Sequence, residues 1–421
     1  MNSPPDQISA DVIRNVLDDG RLVVCVGPGG VGKTTTAAAL GLRAAMAGRR
    51  AIVLTIDPAR RLANSLGLQS LTNDPQQIDL ATAATGEEAT RYLTSTSPPG
   101  EHGDEDQDDA DGKAEGSQQQ DGELWAMMLD SEQTFDDLID QYAPDKGALE
   151  SARENNIYRL LSSALYGMQE YMALDKLHDL YTGGYFDLVV LDTPPTKNAL
   201  EFLETPSRAA TFFDERIIKW FLPDHSAGFF SRVFNPGSVV LKLVSKVLGE
   251  SFVEDLVEFF DTFHYLQEAL QQRGEMIEFI LRDRQTHFFV ITSADPRRMK
   301  EAYFFHEKLG ALEQKADIFI INRVIPMFAA HDLAQLEDED LDGMLEEHGL
   351  EDPDQARSIR KHLETHYARL AKLALRDRKA ISSLATRVGD ESIRLVPLLG
   401  EDVHNLSHLL KLSDFLTPLK D

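Results

Sequence analysis

Hydrophobic positions in this chain gather into short unbroken runs, separated by stretches in which apolar residues recur every three or four places. Leu22 to Val26, Ala51 to Ile56, Leu124 to Leu129, Phe186 to Leu191, His287 to Thr292 and Ala316 to Ile321 are such runs, each followed by a polar turn and a helical pattern. Runs without alternation suit strands covered on both faces, as in a parallel sheet held between helix layers. The pattern predicts an α/β fold with a doubly wound, mostly parallel sheet. Charged amphipathic helices over 330–385 then lead to a last strand near Ile393 to Val396.

Two segments break the pattern. Residues 85–122 contain "SPPGEHGDEDQDDADGKAEGSQQQDG", acidic and without apolar periodicity, which predicts a disordered, solvated insertion. Residues 205–284 are helical in pattern and rich in aromatics ("AATFFDERIIKWFL", "GFFSRVF", "FVEDLVEFFDTFHYLQEAL"), punctuated by Pro206, Pro223 and Pro236. They predict an all-helical subdomain inserted into a core made of 1–204 and 285–421. Its aromatic stripes serve either as that subdomain's own core or as a surface for a hydrophobic client or partner.

The chain has 421 residues, 42% of them hydrophobic, enough to bury a large core. A formal charge of -28 argues against nucleic acid as a partner, although much of the acidity is local to the insertion. The single cysteine, Cys25, lies in an apolar run. One thiol cannot form a Cys-x-x-Cys zinc clamp or a four-cysteine iron–sulfur site within the chain, so neither zinc nor an iron–sulfur cluster is expected. The N-terminal residues are acidic and lack a long apolar stretch, and no segment offers about 18 consecutive apolar residues. No leader and no transmembrane segment are expected, and the location implied is cytoplasmic.

The chemistry concentrates in "VVCVGPGGVGKTTTAAAL", Val23 to Leu40. Its glycines satisfy both G-x-G-x-x-G, the dinucleotide fingerprint, and G-x-x-x-x-G-K-[ST], the phosphate loop. Both need a strand before and a helix after, so that helix amides and dipole hold phosphate oxygens. Even the acid that would bind a ribose is available, as Asp57. Lys33 and Thr34 break the tie: a lysine reaches β/γ-phosphates and a hydroxyl ligates Mg²⁺, whereas a pyrophosphate bridge needs neither. "FDLVVLD" adds Asp192 at a strand's C-terminal end, where a metal-orienting carboxylate belongs. The predicted class is a P-loop nucleoside triphosphatase. Asp57 is placed either to orient the attacking water or to cap the helix that opens at Pro58. Arg60 and Arg61 are either transition-state cations or exposed helix charges.

With these motifs in view the chain resembles the ATPases of the arsenite-pump and tail-anchored-protein-targeting type, within the class of dimeric P-loop proteins that includes partition ATPases and nitrogenase reductase. The resemblance rests on "GPGGVGKTTTAAA", "TIDPARRLANSLG", "LDTPPTKNALEFLETP", "FIINRV" and "VPLLGEDVHNLSHL", in that order. It implies ATP as substrate and Mg²⁺ as cofactor, with phosphates held at Gly27, Gly29, Gly30, Val31, Gly32, Lys33, Thr34 and Thr35. It further implies metal ligation by Thr34 and Asp192, directly or through water, and water positioning by Asp57. Asn322 would read adenine, its alternative being a strand-end turn residue, and the segment at Pro397 would close over the base. A homodimer, or pairing with a paralogous subunit, is implied too, with a hydrophobic client or a membrane-protein partner. Pro28 stands where such proteins commonly carry a second lysine, and the cysteines that bind arsenite or clamp zinc between subunits are missing.

Overall fold

The computed structural model describes residues 5–56, 60–80, 122–142, 169–194, 271–326 and 353–418, together with Gly343 and Glu347. Asp57, residues 85–121 of the acidic insertion and residues 205–270 of the expected helical subdomain lie outside the described residues.

Among the described residues eight strands form one sheet: β1 (Leu22–Val26), β2 (Arg50–Thr55), β3 (Gln76–Ile78), β4 (Glu123–Met128), β5 (Leu188–Asp192), β6 (Thr286–Ser293), β7 (Ala316–Val324) and β8 (Ile393–Pro397). Their order is β3-β4-β2-β5-β1-β6-β7-β8. Every pairing is parallel except that of β3 with β4. The doubly wound, mostly parallel sheet read from the sequence is therefore present, its strand ends within three residues of those of the apolar runs. The strand not expected is β3. It has three residues, two of them glutamine, and pairs only at the sheet's edge, so it never needed an apolar run.

Helices cover both faces: α1 (Pro5–Asp19), α2 (Lys33–Met46), α3 (Arg60–Ser65), α4 (Ser131–Tyr142), α5 (Gln169–Thr182), α6 (Pro296–Ala311), α7 (Pro353–Val388) and α8 (Leu406–Leu416). Residues 271–282 are helical as well. Side chains of β1 divide by the strand's period of two. Leu22, Val24 and Val26 enter a core shared with Leu174 and Leu177 of α5, Ile277, and Phe305 of α6. Val23 and Cys25 face the other way, into a core with Ile13 of α1, Ala37 and Leu40 of α2, and Leu409 of α8. Both cores are built of buried hydrophobic side chains, which is why the strand is an unbroken apolar run. Each fully buried Val, Leu or Ile contributes about 1.5–3 kcal/mol.

Helix α2 lies between the sheet and α8, and its small residues fit that space: Ala37, Ala38 and Ala39 have no exposed surface. Arg43 Nη1 reaches Asp414 Oδ1 of α8 at 3.4 Å. On the opposite face Arg273, in the helical residues 271–282, is joined to α5 by a buried ion pair, with Nε 2.6 Å from Asp175 Oδ1. The two side chains are 5% and 2% exposed, so the pair is desolvated, and Arg273 also donates to Asp179. Burial pushes the Asp175 carboxyl up to about 6, against the opposing pull of Arg273.

The parallel arrangement has one result that matters for chemistry. The C-terminal ends of β1, β2, β5, β6 and β7 share an edge, and Gly27, Thr55, Asp192, Ser293 and Asn322 gather there.

Candidate functional site

The chain leaves β1 at Gly27, which presses against β6. A Cβ there would lie 1.9 Å from the carbonyl oxygen of Ile291, so no side chain fits. The loop ends at Gly32, the residue before α2, with a left-handed φ of 95°. A Cβ at Gly32 would come 2.4 Å from Asn322 Nδ2. The loop is thus fitted to the sheet edge at both ends by backbone that only glycine allows, and Gly29, Gly30 and Val31 span the interval.

Helix α2 has no side-chain cap, so its first amides are left to a ligand or to water. Its first residue, Lys33, is only 7% exposed. The side chain folds back along the loop, Nζ donating to the Pro28 carbonyl at 3.2 Å. Thr35 follows in the same first turn.

Across from this turn, Thr34 Oγ1 donates to Asp192 Oδ2 at 2.5 Å. Thr55 Oγ1, at the end of β2, donates to the same oxygen at 3.0 Å. Asp192 is 2% exposed. Two hydroxyls therefore fix one carboxylate rotamer. The next residue is fixed too, for Thr193 Oγ1 donates to the Cys25 carbonyl at 2.8 Å and ties the end of β5 to β1. Cys25 itself is buried, and burial together with nearby Asp192 pushes its thiol well up, which keeps it protonated and inert.

This donor set fits magnesium. Hydroxyl and carboxylate oxygens are hard ligands, and Mg²⁺ is held by one or two protein oxygens with substrate phosphates and water completing its shell. Among the described residues no group of three or more His, Cys, Asp or Glu could hold a metal alone, so the phosphates would have to share the task.

Asn322, 7% exposed at the end of β7, is engaged at both ends of its amide. Nδ2 donates to the Val31 carbonyl at 2.9 Å and Oδ1 accepts from the Arg323 amide at 2.9 Å. It braces the loop while also shaping the strand's end. Pro397 closes β8 opposite Val324, and the following amide, of Leu398, donates to the Val324 carbonyl at 2.8 Å. The sheet thus brings Lys33, Thr34, Asp192 and Asn322 together, with Pro397 one strand beyond Asn322. Asp57 lies outside the described residues. The chain runs towards it beside β5, where the Ile56 amide donates to the Asp192 carbonyl at 3.3 Å.

Three contributors were not foreseen from the sequence: Thr55, Thr193 and Arg298. The first two lie inside quoted motifs, "TIDPARRLANSLG" and "LDTPPTKNALEFLETP", where a hydroxyl near each acid was the available signal. Arg298, near the start of α6, donates from Nη1 to the Gly29 carbonyl. No motif points to it.

A family model for anion-transporting ATPases matches residues 20–88 and 93–340. Among curated proteins, the chain is 22% identical over 328 residues to a putative arsenical pump-driving ATPase 1 of Aquifex aeolicus, an alignment covering 73% of this chain and 64% of that protein. It is 26% identical over 204 residues to the ATPase GET3 of Malassezia globosa, covering 48% of each. It is 27% identical over 319 residues to the ATPase ARSA1 of Chlamydomonas reinhardtii, covering 72% of this chain and 35% of the other. The chain therefore spans between about a third and two thirds of the length of these relatives.

Proposed function

This chain belongs to the anion-transporting ATPase family, and from that premise we propose that it is a Mg-dependent ATP hydrolase whose nucleotide state drives a partner-binding segment. The observation that carries the reading is the junction of Thr34 with Asp192 at 2.5 Å, directly beside the uncapped start of α2.

In this reading the amides from Gly29 to Thr35 receive the phosphate oxygens, and the Lys33 ammonium exchanges the Pro28 carbonyl for oxygens of the β- and γ-phosphates. Thr34 donates its hydrogen bond to Asp192 and keeps its proton, which leaves its oxygen lone pairs to a cation. Thr34 and Asp192 would hold Mg²⁺, which when bound neutralises charge on the phosphates. Asp57 orients a water for in-line attack on the γ-phosphorus, breaking its bond to the β-bridging oxygen and releasing ADP and phosphate. Asn322 and Pro397 flank the base. The residues after Asp57 and Asp192 respond to loss of the γ-phosphate.

Calorimetry with Mg-ATP on the full chain and on Lys33→Ala tests the site. Binding by the first and its loss in the second is expected, and equal heats from both would sink the reading. Phosphate release from Asp57→Asn, set against the unchanged chain, tests hydrolysis. Matching near-zero rates would instead favour a non-hydrolysing, nucleotide-dependent scaffold, a second reading supported by Pro28 in place of a lysine.

The output is assigned to the helical subdomain expected over residues 205–284, whose aromatic pattern follows "LDTPPTKNALEFLETP" directly. Deleting 212–248 should abolish capture of a hydrophobic client while sparing nucleotide binding, and unchanged capture would refute the assignment. An energising role beside a membrane anion transporter is the other output, supported by the printed name of the Aquifex relative. It requires ATP turnover to rise on adding membranes that contain the partner. Pairing with a second copy or a paralogous subunit, and a cytoplasmic location, belong to the same proposal. No helix among the described residues is long and apolar enough to cross a membrane.

A further inference from the structure

The loop from Gly27 to Thr35 contains one basic residue, Lys33. A second cation reaches it from another part of the chain. Strand β6 lies parallel beside β1, with Val26 opposite Val290, so the turn after β6 and the start of α6 emerge next to the loop. Asp295 caps α6, its Oδ1 accepting from the amides of Arg297 at 2.9 Å and Arg298 at 3.3 Å, which fixes the backbone from which Arg298 projects. The half-buried Arg298 side chain turns back to the loop. Nη1 donates to the Gly29 carbonyl, and Nη2 lies 3.9 Å from where a Cβ on Gly30 would be. Among the described residues no carboxylate pairs with this guanidinium: its hydrogen bond is to a neutral carbonyl. Among the described residues its positive charge thus has no ion-pair partner, at the edge of a loop whose amides already favour anions.

Charge decides what such a group is for. Mg-ATP carries one more negative charge than Mg-ADP. The Lys33 ammonium can balance one, and the charge added by the terminal phosphate calls for another cation. Arginine suits that task, being always charged and presenting several donors in a fixed fork.

Resting on the ATPase reading above, we propose that Arg298 is a nucleotide-contacting residue that reads the third phosphate, turning from the Gly29 carbonyl to a terminal phosphate oxygen and making the site prefer ATP over ADP. The reach from α6 also makes the position of that helix depend on which nucleotide is bound.

The test is calorimetry of Mg-ATP and Mg-ADP binding to the unchanged chain and to Arg298→Gln, Arg298→Lys and Lys33→Ala, each first checked by thermal unfolding. Gln keeps an N–H donor for the Gly29 carbonyl but removes the charge. Lys keeps the charge but not the fork. Loss of a charge-assisted bond corresponds to roughly tenfold or more in affinity. Arg298→Gln should lose that for Mg-ATP and little for Mg-ADP, with Arg298→Lys in between. Equal losses for both nucleotides would make Arg298 a brace for the loop, and unchanged affinities would leave it no part in binding; either overturns the proposal. If Lys33→Ala abolishes binding while Arg298→Gln does neither harm, only this inference fails. If the unchanged chain binds no Mg-ATP, the ATPase reading fails with it.

Discussion

The side-chain amide of Asn322 lies 2.9 Å from the Val31 carbonyl, so the end of β7 holds the turn from which α2 starts. Gly32, the next residue, leaves that amide its room. Gly32→Ala should cost about 1–2 kcal/mol for the left-handed backbone alone, with a steric penalty from Asn322 added. Asn322→Ala should cost about 1–2 kcal/mol for the exposed Val31 carbonyl and the unmet Arg323 amide. The double substitution removes the clash, so the two losses should sum to more than the pair costs together. Urea denaturation of the four proteins measures this, and strict additivity would show that the two sites do not press on each other.

Asp192→Asn keeps the shape of the side chain but removes the charge that accepts from Thr34 and Thr55. Stability should change by about 1–3 kcal/mol. Magnesium should then matter far less to ATP binding. Titration of ATP with and without Mg²⁺ reads the difference, and an unaltered magnesium dependence would remove Asp192 from the metal site.

The buried pair of Arg273 and Asp175 predicts an unusual slope with pH. Burial raises the Asp175 carboxyl from 3.8 to about 6, so the folded chain holds this proton more tightly than the unfolded one. Its contribution to stability is fully present below about pH 4 and is lost as pH rises through about 6, opposite in sign to a surface carboxylate in an ion pair. Asp175→Asn should abolish that slope. At neutral pH it should not destabilise, because the ionised carboxylate is already the disfavoured form there and Asp179 still pairs with Arg273. Denaturation between about pH 4 and 7 supplies the comparison, and parallel curves for the two proteins would contradict it.

Leu409 of α8 has no exposed surface and packs in the core that includes α2. Leu409→Ala should cost about 2–5 kcal/mol. Chemical denaturation gives the value, and a loss below about 1 kcal/mol would mean that α8 covers α2 only loosely.

Much of the sheet was legible because strands buried on both faces must be apolar at every position, and Val23 and Val24 point into different cores yet look alike in sequence. Strand β3 was not, since an edge strand of Gln76, Gln77 and Ile78 lacks that requirement. Helix α1 was open to reading, with Ile13, Val16 and Leu17 buried at helical spacing, but a search for an uninterrupted apolar leader passes over it. Lys33, Thr34 and Asp192 were found because a phosphate loop and a strand-end acid are local patterns. Arg298 could not be, for its contact with Gly29 spans 269 residues and exists only because β6 was inserted next to β1. Asn322 is expected at the base from the resemblance; that its amide also braces the loop at Val31 was not legible in the sequence.

Arg43 and Asp414, whose side chains join α2 to α8, are 371 positions apart. A ribosome adding residues one after another at about 5–20 per second makes the glycine turn and α2 well before the helix that covers them. For most of its synthesis the nascent polypeptide holds a glycine bend whose supporting helix is still wet on one side. Until Asp414 has emerged, α2 lacks the helix that packs on its outer face, so the turn at its start gains that support late in synthesis.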